Sequence, residues 1–237
     1  MNIPFFYAPD LAASGEYHTL DDVSRRHLVQ VLRGKPGDTV ILTDGKGARC
    51  QGIIAVADKK NCTVTLTETR RLPTPSPVLA IAISFTKNLS RMEWFLEKAT
   101  EIGIREIHPL VCHRTEKTRY NASRMQKLLV AAMLQSRQAY LPILHEPASF
   151  QELAGVSAYP QRFIAHCEPG EKSFFEAELA RDKDTLILIG PEGDFTPGEI
   201  ALAKENGYSA VSLGPNRLRT ETAGVVAATL MMAVNER

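Results

Sequence analysis

The chain has 237 residues, of which 44% are hydrophobic and 23% are charged, and 28 Lys and Arg balance 27 Asp and Glu. This ordinary globular composition excludes disordered, collagen-like and low-complexity proteins, and the length suits one large domain or two modest ones. No apolar run approaches the roughly 18 residues that a membrane-spanning helix needs, and the first residues lack the pattern of a secretory signal, so we expect neither a membrane protein nor a secreted one.

Residues 1–72 contain short segments rich in Val, Ile and Thr, which is the composition of β-strands. Four strands are predicted, at IPFFY, TVILTDG, ARCQGIIAV and NCTVTLTET. One helix is expected over about Asp21–Leu32, because apolar residues recur there at helical spacing and Gly34, Pro36 and Gly37 follow. We therefore predict a small, closed or nearly closed β-barrel over residues 1–72. The proline-rich stretch LPTPSP after it is typical of a linker.

Residues 73–237 alternate between apolar strands and helices. Strands are predicted at VLAIAIS, EIHPLV, RFIAHC, TLILIG and AVSLG. Helices are predicted over Arg91–Ile102, Ala122–Ala139, Phe174–Ala180, Pro197–Asn206 and Glu221–Asn235. This alternation indicates an α/β domain with a mostly parallel sheet.

Two glycine-containing loops follow the last two of these strands. The first is the stretch GPEGD at 190–194, and the second begins with Gly214 and Pro215. Ligands bind at the carboxyl ends of parallel strands, and glycine lets the backbone approach a ligand closely. These loops are therefore the best candidate for a ligand site, against the alternative that they are tight turns without a further role.

The residue types in the loops restrict the ligand. Neither loop has the GxGxxG or GK[ST] motif that binds phosphates, and the carboxylates of Glu192 and Asp194 would repel a phosphate. Carboxylates can instead accept hydrogen bonds from ribose hydroxyls or attract a cation. These features favour a ligand with adenosine-like groups, positive charge and no phosphate, such as S-adenosylmethionine.

A charged segment with Arg219 and Glu221 leads into the apolar helix at the end of the chain. An arginine at a helix N-terminus beside the glycine loops can stabilise a developing anion, and a carboxylate can accept a proton. The alternative for Glu221 is a structural role, because its charge suits the first turn of a helix. Thr220 or Thr222 is the expected cap of that helix.

The strings LIGPEGDFTPGEI and LGPNRLRTETAGVVAATL resemble the paired signatures of SPOUT-class methyltransferases. They are similar in particular to those of the bacterial family that methylates N3 of a uridine in 16S ribosomal RNA. One departure is Asp194, which stands where that family usually has glycine. The resemblance implies a PUA-like β-barrel, then a SPOUT-type parallel sheet with a C-terminal trefoil knot. It also implies S-adenosylmethionine as the methyl donor and a homodimer.

The chemistry of the implied reaction and the resemblance together predict the site residues. Arg219 would stabilise a uridinate oxygen, and Glu221 would orient Arg219 or accept the N3 proton. The implied cofactor contacts come from three loops, and they are His166, Ile189, Gly190, Glu192, Gly193, Leu213, Gly214, Leu218 and Thr222.

Basic residues in two regions are the candidate RNA contacts. Arg25, Arg26 and Arg33 flank the helix of the barrel domain, and Arg25 and Arg33 are expected to share one helix face. Lys87, Arg91, Arg114 and Lys117 belong to the second domain, where seven basic and two acidic residues lie between positions 105 and 137. Together they predict that the barrel binds 16S ribosomal RNA or the small ribosomal subunit, while the α/β domain acts on one unstacked base. The alternative is ordinary solvated charge.

Two other functions remain open from the sequence. One is a methyltransferase of the same class that modifies a ribose oxygen of transfer or ribosomal RNA, and the other is a non-catalytic RNA-binding protein. No metal site is predicted, because His108 and His113 lack metal-ligand spacing with any partner. The four cysteines form no CxxC pair, which argues against a zinc site or a disulfide framework and fits a reducing cytoplasm.

Overall fold

The computed structural model describes residues 3–11, 15–116, 118–155 and 158–236. Two compact units divide the chain. The first unit contains residues 1–74 and 130–141, and the second contains residues 75–129 and 142–237.

The first unit is built on five strands: β1 (Phe5–Tyr7), β2 (Tyr17–Thr19), β3 (Thr39–Thr43), β4 (Ala48–Ala57) and β5 (Cys62–Arg71). They form one sheet in the order β1-β3-β4-β5-β2, in which β1 and β3 are parallel and the other neighbours are antiparallel. The hydrophobic core of this unit includes Phe6, Leu28, Leu42 and Val64, which are almost completely buried. Burial of one side of each strand explains the apolar pattern in this part of the sequence.

The helix predicted over Asp21–Leu32 consists of two different segments. The first is α1 (Asp22–Arg26), in which the Asp21 side chain caps the start by accepting a hydrogen bond from the Ser24 amide at 2.7 Å. The second is a π-helical segment, His27–Val31. Arg33 lies beyond it with a left-handed φ of 56°. The expectation that Arg25 and Arg33 share one α-helical face is therefore wrong, because the π-turn and the left-handed residue redirect the chain between them.

The second unit is built on eight strands: β6 (Leu79–Ile83), β7 (Glu106–Val111), β8 (Ile143–Leu144), β9 (Ala148–Ser149), β10 (Gln161–Ala165), β11 (Ser173–Phe174), β12 (Thr185–Ile189) and β13 (Ser209–Ser212). Seven follow the order β11-β13-β10-β12-β6-β7-β8, and β9 pairs with β7. Neighbouring strands are parallel. Every residue of β6 and β12 is buried, as in central strands that are covered on both faces. The predicted parallel α/β fold is confirmed, and the knot stays a prediction.

Six helices follow residue 75 among the described residues: α2 (Leu89–Ile102), α3 (Ala122–Gln135), α4 (Phe150–Gly155), α5 (Phe175–Glu178), α6 (Pro197–Glu205) and α7 (Thr220–Asn235). Local sequence sets several of their ends. Gly103 ends α2 in a left-handed conformation with φ of 107°, which glycine adopts without steric cost. Thr196 and Glu199 form a capping box at the start of α6, and Pro197 occupies its first turn.

Helix α7 packs closely against the sheet and α2. A Cβ atom at Gly224 would lie 2.5 Å from the Phe95 ring and 2.9 Å from Ile83, so only glycine fits there without movement. Ala227, Ala228 and Met231 of α7 are fully buried. The small residues of the final helix therefore serve close packing. No helix among the described residues has the length and apolar content needed to span a membrane.

Candidate active site

Three neighbouring strands of the second unit end at the same level. β10 lies between β12 and β13, and the register pairs Ala165 with both Ile189 and Val211. The loops after these strands therefore begin side by side. The two glycine loops predicted to share a site converge, and a third loop, after β10, joins them.

These loops line a cavity of about 760 Å³. Most of the predicted cofactor contacts lie on its wall, namely His166, Ile189, Gly190, Glu192, Leu213, Gly214 and Leu218. Arg219 also lies on this wall, whereas Gly193, Glu221 and Thr222 are not among the lining residues. The structure thus brings most, but not all, of the predicted residues to one place.

Two glycines are favoured in these loops for different reasons. Gly214 has φ of 138°, and a Cβ atom there would have open space around it, so the backbone conformation selects glycine. At Gly190 a Cβ atom would lie 3.1 Å from the Phe195 ring, so close packing favours glycine. Both loops therefore present backbone to the cavity.

Asp194 connects the loop after β10 to the loop after β12. One carboxylate oxygen accepts a hydrogen bond from the Cys167 amide at 2.7 Å, and the other accepts one from the Phe195 amide at 2.8 Å. The residue has a left-handed φ of 63°, which aspartate tolerates better than most side chains. Asp194 is thus part of the frame of the cavity, and both of its oxygens already accept hydrogen bonds from the chain.

Thr220 connects the start of α7 to the loop after β12. Its buried hydroxyl donates a hydrogen bond to the Gly190 carbonyl at 3.1 Å. The N-cap residue of α7 is Arg219, whose side chain makes no capping hydrogen bond. The predicted cap by Thr220 or Thr222 is therefore wrong: Thr220 lies in the first turn, where its hydroxyl joins two loops.

His166 contributes an imidazole to the cavity wall. Both ring nitrogens are buried and lack a hydrogen-bond partner among the described residues. Burial, with a further effect of the Lys172 ammonium, lowers the pKa of His166, so the ring is neutral at neutral pH. Lys172 itself donates hydrogen bonds to the carbonyls of His166, at 3.1 Å, and Glu168. A buried polar atom without a partner is unfavourable, so the imidazole is well suited to bind a polar ligand group.

The two predicted catalytic residues lie in different surroundings. Arg219 is exposed on the cavity wall. Glu221 is only 7% exposed, and its carboxylate lies 3.6 Å from Nε of Arg91. Arg91, predicted as an RNA contact, is thus the ion-pair partner of Glu221.

A second cavity, of about 480 Å³, adjoins the first through Glu192, which lines both. Arg114 lies on its wall and donates hydrogen bonds to the Gly193 carbonyl at 2.6 Å and the Phe195 carbonyl at 3.4 Å. The predicted RNA contact Arg114 therefore also supports the first glycine loop. Lys87 forms an ion pair with Glu116 at 2.5 Å, which raises the pKa of Lys87.

The basic residues of the first unit differ in exposure. The Arg25 side chain is 12% exposed, and it donates hydrogen bonds to the Lys59 carbonyl and to Asp22, the latter at 2.9 Å. Arg26 and Arg33 are exposed. Arg25 therefore offers little free surface for RNA, whereas Arg26 and Arg33 are accessible to it. Lys117, also predicted as an RNA contact, lies outside the described residues.

Sequence reasoning missed Lys172 and Arg217, which complete the charged part of the cavity wall. Arg217 lies in the second glycine loop, directly before the predicted contact Leu218, so its position in the chain was a usable signal. Lys172 follows a stretch without any motif, and the fold alone brings it to the site.

Comparisons with known proteins identify the family of both parts of the chain. The sequence model of a family described as "RNA methyltransferase domain" matches residues 73–232, and one described as "RNA methyltransferase PUA domain" matches residues 20–67. The second match confirms the predicted PUA-like domain.

Relatives match over nearly the full length. Ribosomal RNA small subunit methyltransferase E of Bacillus subtilis (strain 168) is 30% identical, with 93% of this chain and 88% of that protein covered. A crystal structure of a probable rRNA-methyltransferase from Porphyromonas gingivalis is 36% identical and has a TM-score of 0.92, with 99% of both chains covered. The crystal structure of a ribosomal RNA small subunit methyltransferase E from Neisseria gonorrhoeae bound to S-adenosyl methionine is 26% identical and has a TM-score of 0.87, with 99% of this chain and 98% of that chain covered. This chain therefore belongs to the RNA methyltransferase family that includes the ribosomal RNA small subunit methyltransferase E proteins.

Proposed function

We propose that this chain transfers a methyl group from S-adenosylmethionine to N3 of a uridine in 16S ribosomal RNA. The observation that carries the proposal is the single cavity formed by the loops after β10, β12 and β13, with Arg219 on its wall. Family membership supplies the reaction class. The N3 position rests on the resemblance of the loop from Gly214 to Thr222 to that of uridine-modifying enzymes.

The cavity wall suits S-adenosylmethionine. Ile189, Leu213 and Leu218 offer apolar surface for an adenine ring. The unpaired nitrogens of His166 offer hydrogen bonds, and the exposed carboxylate of Glu192 favours a positively charged ligand over a phosphate. When bound, S-adenosylmethionine supplies an electrophilic methyl group.

Arg219 is the residue to which we assign stabilisation of the target base. N3 of uracil carries a proton at neutral pH, and its removal leaves negative charge on the base oxygens. The Arg219 guanidinium lies at the N-terminus of α7, whose partial positive charge adds to the attraction for an anion. Preorganised positive charge of this kind lowers the free energy of the anion without rearrangement during the reaction.

Glu221 fits a positioning role better than proton acceptance. Its carboxylate is buried beside Arg91, outside the cavity wall. Acceptance of the N3 proton would require this ion pair to open. We therefore assign Glu221 to holding the first turn of α7, and with it Arg219, in place.

The Arg219→Ala variant tests the assignment. We expect methyl transfer to fall by about two orders of magnitude or more, the size of the loss when one preorganised donor is removed, while the affinity for S-adenosylmethionine stays within about threefold. Single-turnover methylation of small ribosomal subunits and isothermal titration calorimetry measure the two quantities. Arg217→Ala, which removes a neighbouring arginine of the same wall, is the control and should lose less than about tenfold in rate. A rate for Arg219→Ala within threefold of wild type would contradict the assignment.

The identity of the product tests the substrate. Mass spectrometry of 16S ribosomal RNA from cells with and without this gene should show one methyluridine that disappears, with the methyl group on the base. Loss of a methyl group from a ribose would contradict modification at N3.

Contact with the RNA is assigned to the exposed arginines Arg26 and Arg33 of the first unit and to the basic residues around the second cavity. The target base must leave its stack to reach the first cavity. We further propose that the protein acts as a homodimer in the cytoplasm. The four cysteines are free thiols, in keeping with a reducing compartment.

A further inference from the structure

We propose that Glu106, His108 and His145 form a binding site for a divalent transition-metal ion of the zinc type. Glu106 and His108 are two residues apart on β7, so they project from the same face of the sheet. His145 directly follows β8, which pairs with β7 through Glu106 and Ile143. The His145 amide also donates a hydrogen bond to the Ile107 carbonyl at 2.9 Å. Strand register therefore fixes the three residues side by side.

The potential ligand atoms are close enough for one ion. Nε2 of His145 lies 2.7 Å from Oε2 of Glu106, and Nε2 of His108 lies 3.6 Å from the same oxygen. One ligand atom from each residue lies within 4.8 Å of the others. Zinc binds nitrogen and oxygen at about 2.0–2.2 Å, which separates tetrahedral ligands by about 3.4 Å, and the observed distances lie on both sides of that value.

His145 is the ligand that adjusts. The rings of His108 and His145 are stacked, with centroids 3.9 Å apart and planes 6° from parallel. Convergence of both nitrogens on one ion requires one ring to turn. The His145 side chain is 35% exposed and that of His108 is 11% exposed, so His145 can rotate while β7 and its residues stay in place. The same exposure gives the ion access from solvent and leaves a position for water.

Tyr159, which lies shortly before β10, supports the carboxylate of Glu106. Its hydroxyl donates a hydrogen bond to Oε2 of Glu106 at 2.9 Å and lies 3.1 Å from Nε2 of His108. Tyr159 also packs against the hydrophobic core of the second unit. Hydrogen bonds of this kind orient metal ligands and raise affinity.

The ligand types of the cluster determine which ion it binds, and its position in the sheet indicates its role. Two imidazoles and one carboxylate suit zinc and similar ions rather than Mg²⁺ or Ca²⁺, which prefer oxygen ligands. Glu106 is the first residue of β7, so the cluster lies at the amino end of that strand, whereas the cavity with Arg219 lies at carboxyl ends. The proposed metal site is therefore separate from the proposed catalytic centre. It would join β7 to the segment after β8, which indicates a structural role.

The sequence alone gave no sign of this site. His145 lies 39 positions after Glu106, and no short motif links the two. The sequence shows no metal-ligand spacing around His108, because such spacing can be recognised only between residues that are close together in the chain.

Calorimetric titration tests the proposal. The full-length protein, without a histidine tag and treated with a chelator, is titrated with ZnCl₂ near pH 7.5. We expect one equivalent to bind with micromolar or tighter affinity, and bound Co²⁺ to show visible ligand-field absorption. His108→Ala and His145→Ala should each weaken zinc binding by roughly 100-fold or more, and Tyr159→Phe by roughly tenfold. His27→Ala, which removes an exposed imidazole elsewhere, is the control and should bind like wild type.

Thermal unfolding separates loss of the site from loss of the fold. Each variant is first melted without metal, and His145→Asn serves as a milder replacement. Zinc should raise the melting temperature of wild type, because it binds the folded state, and should leave that of His145→Asn unchanged. No saturable zinc binding in wild type, or an equal rise in both proteins, would overturn the proposal.

Discussion

Asp194, which departs from the glycine expected from the family resemblance, joins two loops of the cavity wall. Glycine would adopt the left-handed conformation at this position without steric cost. Aspartate adopts it here with φ of 63° and joins two loops through the amides of Cys167 and Phe195. Asp194 therefore helps to shape the cavity.

The Asp194→Gly variant should weaken cofactor binding. It keeps the backbone conformation but removes both hydrogen bonds, each of which is worth about 1.5–3 kcal/mol when one partner is charged, and relief of strain offsets part of this. We expect the dissociation constant of S-adenosylmethionine to rise about tenfold, and the rate at saturating cofactor to stay within threefold. Isothermal titration calorimetry measures the affinity. Asp182→Gly changes the other left-handed aspartate, φ 59°, outside the cavity wall, and should have no effect; equal affinity in both variants would contradict the role of Asp194.

His166 should make stability depend on pH. Its pKa is lowered by burial, then by Lys172 and Lys204, against the opposing effects of Asp194 and Glu168. The imidazole of the unfolded chain has the ordinary histidine pKa of about 6.5, so it binds a proton at a higher pH than the folded protein does. The contribution of His166 to folding stability is therefore fully present above about pH 6.5. This contribution is lost as the pH falls from that value to the lowered pKa of the folded state.

The comparison of wild type with His166→Asn measures this effect. We expect the melting temperature of wild type to fall further between pH 7.5 and pH 5 than that of the variant, because the variant has no proton to bind at this position. Differential scanning fluorimetry across that range gives both curves. Parallel curves would show that His166 does not titrate differently on folding.

At the scale of elements, the close approach of α7 depends on Gly224. The Gly224→Ala variant places a methyl group against Phe95 and Ile83. Overpacking of this kind costs about 1–3 kcal/mol, which corresponds to about 3–9 °C in a chain of this size. Thermal unfolding followed by circular dichroism measures the change.

Gly198 provides the matched control for that substitution. It lies in α6, and an added Cβ would meet no atom within 4 Å. Gly198→Ala should leave the melting temperature unchanged or raise it, because alanine favours helix. An equal loss in the two variants would show that the cost at position 224 is not caused by packing.

The elements also show what the sequence could predict. The strands β6 and β12 were found because every residue of each is buried and all but Thr185 are apolar. The missed strands β8, β9 and β11 have two residues each, and β2 has three, too few for a periodic pattern. The helix predicted to reach Ala139 ends at Gln135, shortly before the left-handed Arg137.

The candidate site was predictable where its residues are adjacent in the chain. Both glycine loops were recognised, since each directly follows an apolar strand. The position of β10 between β12 and β13 was not predictable, because pairing of parallel strands leaves no mark on local periodicity. For the same reason neither the hydrogen bond between Asp194 and Cys167 nor the meeting of His145 with Glu106 could be foreseen.

At the scale of the whole molecule, we expect the proposed homodimer to form through helix α7. Val225, Val226, Leu230 and Met232 on this helix are only half-buried, although the helix has few polar side chains. Partly exposed apolar side chains on one element are typical of an interface.

The Val226→Glu variant tests the dimer. A carboxylate in an apolar interface is costly to bury, so we expect wild type to sediment as a dimer and the variant as a monomer at the same micromolar concentration. Sedimentation velocity measures both. Ala201→Glu adds the same charge at an exposed position of α6 and should remain dimeric. A monomeric wild type, or a variant that stays dimeric, would contradict the proposal.

The order of strands in the parallel sheet has a consequence for synthesis of the protein. β10 pairs with β12 on one side and β13 on the other, and both neighbours are translated after it. A nascent chain that ends before β13 therefore holds a hydrophobic strand with an unpaired edge, the kind of surface that aggregates or recruits chaperones. The cavity can assemble only after β12, β13 and the start of α7 have left the ribosome, so a shorter nascent chain lacks the proposed cofactor site.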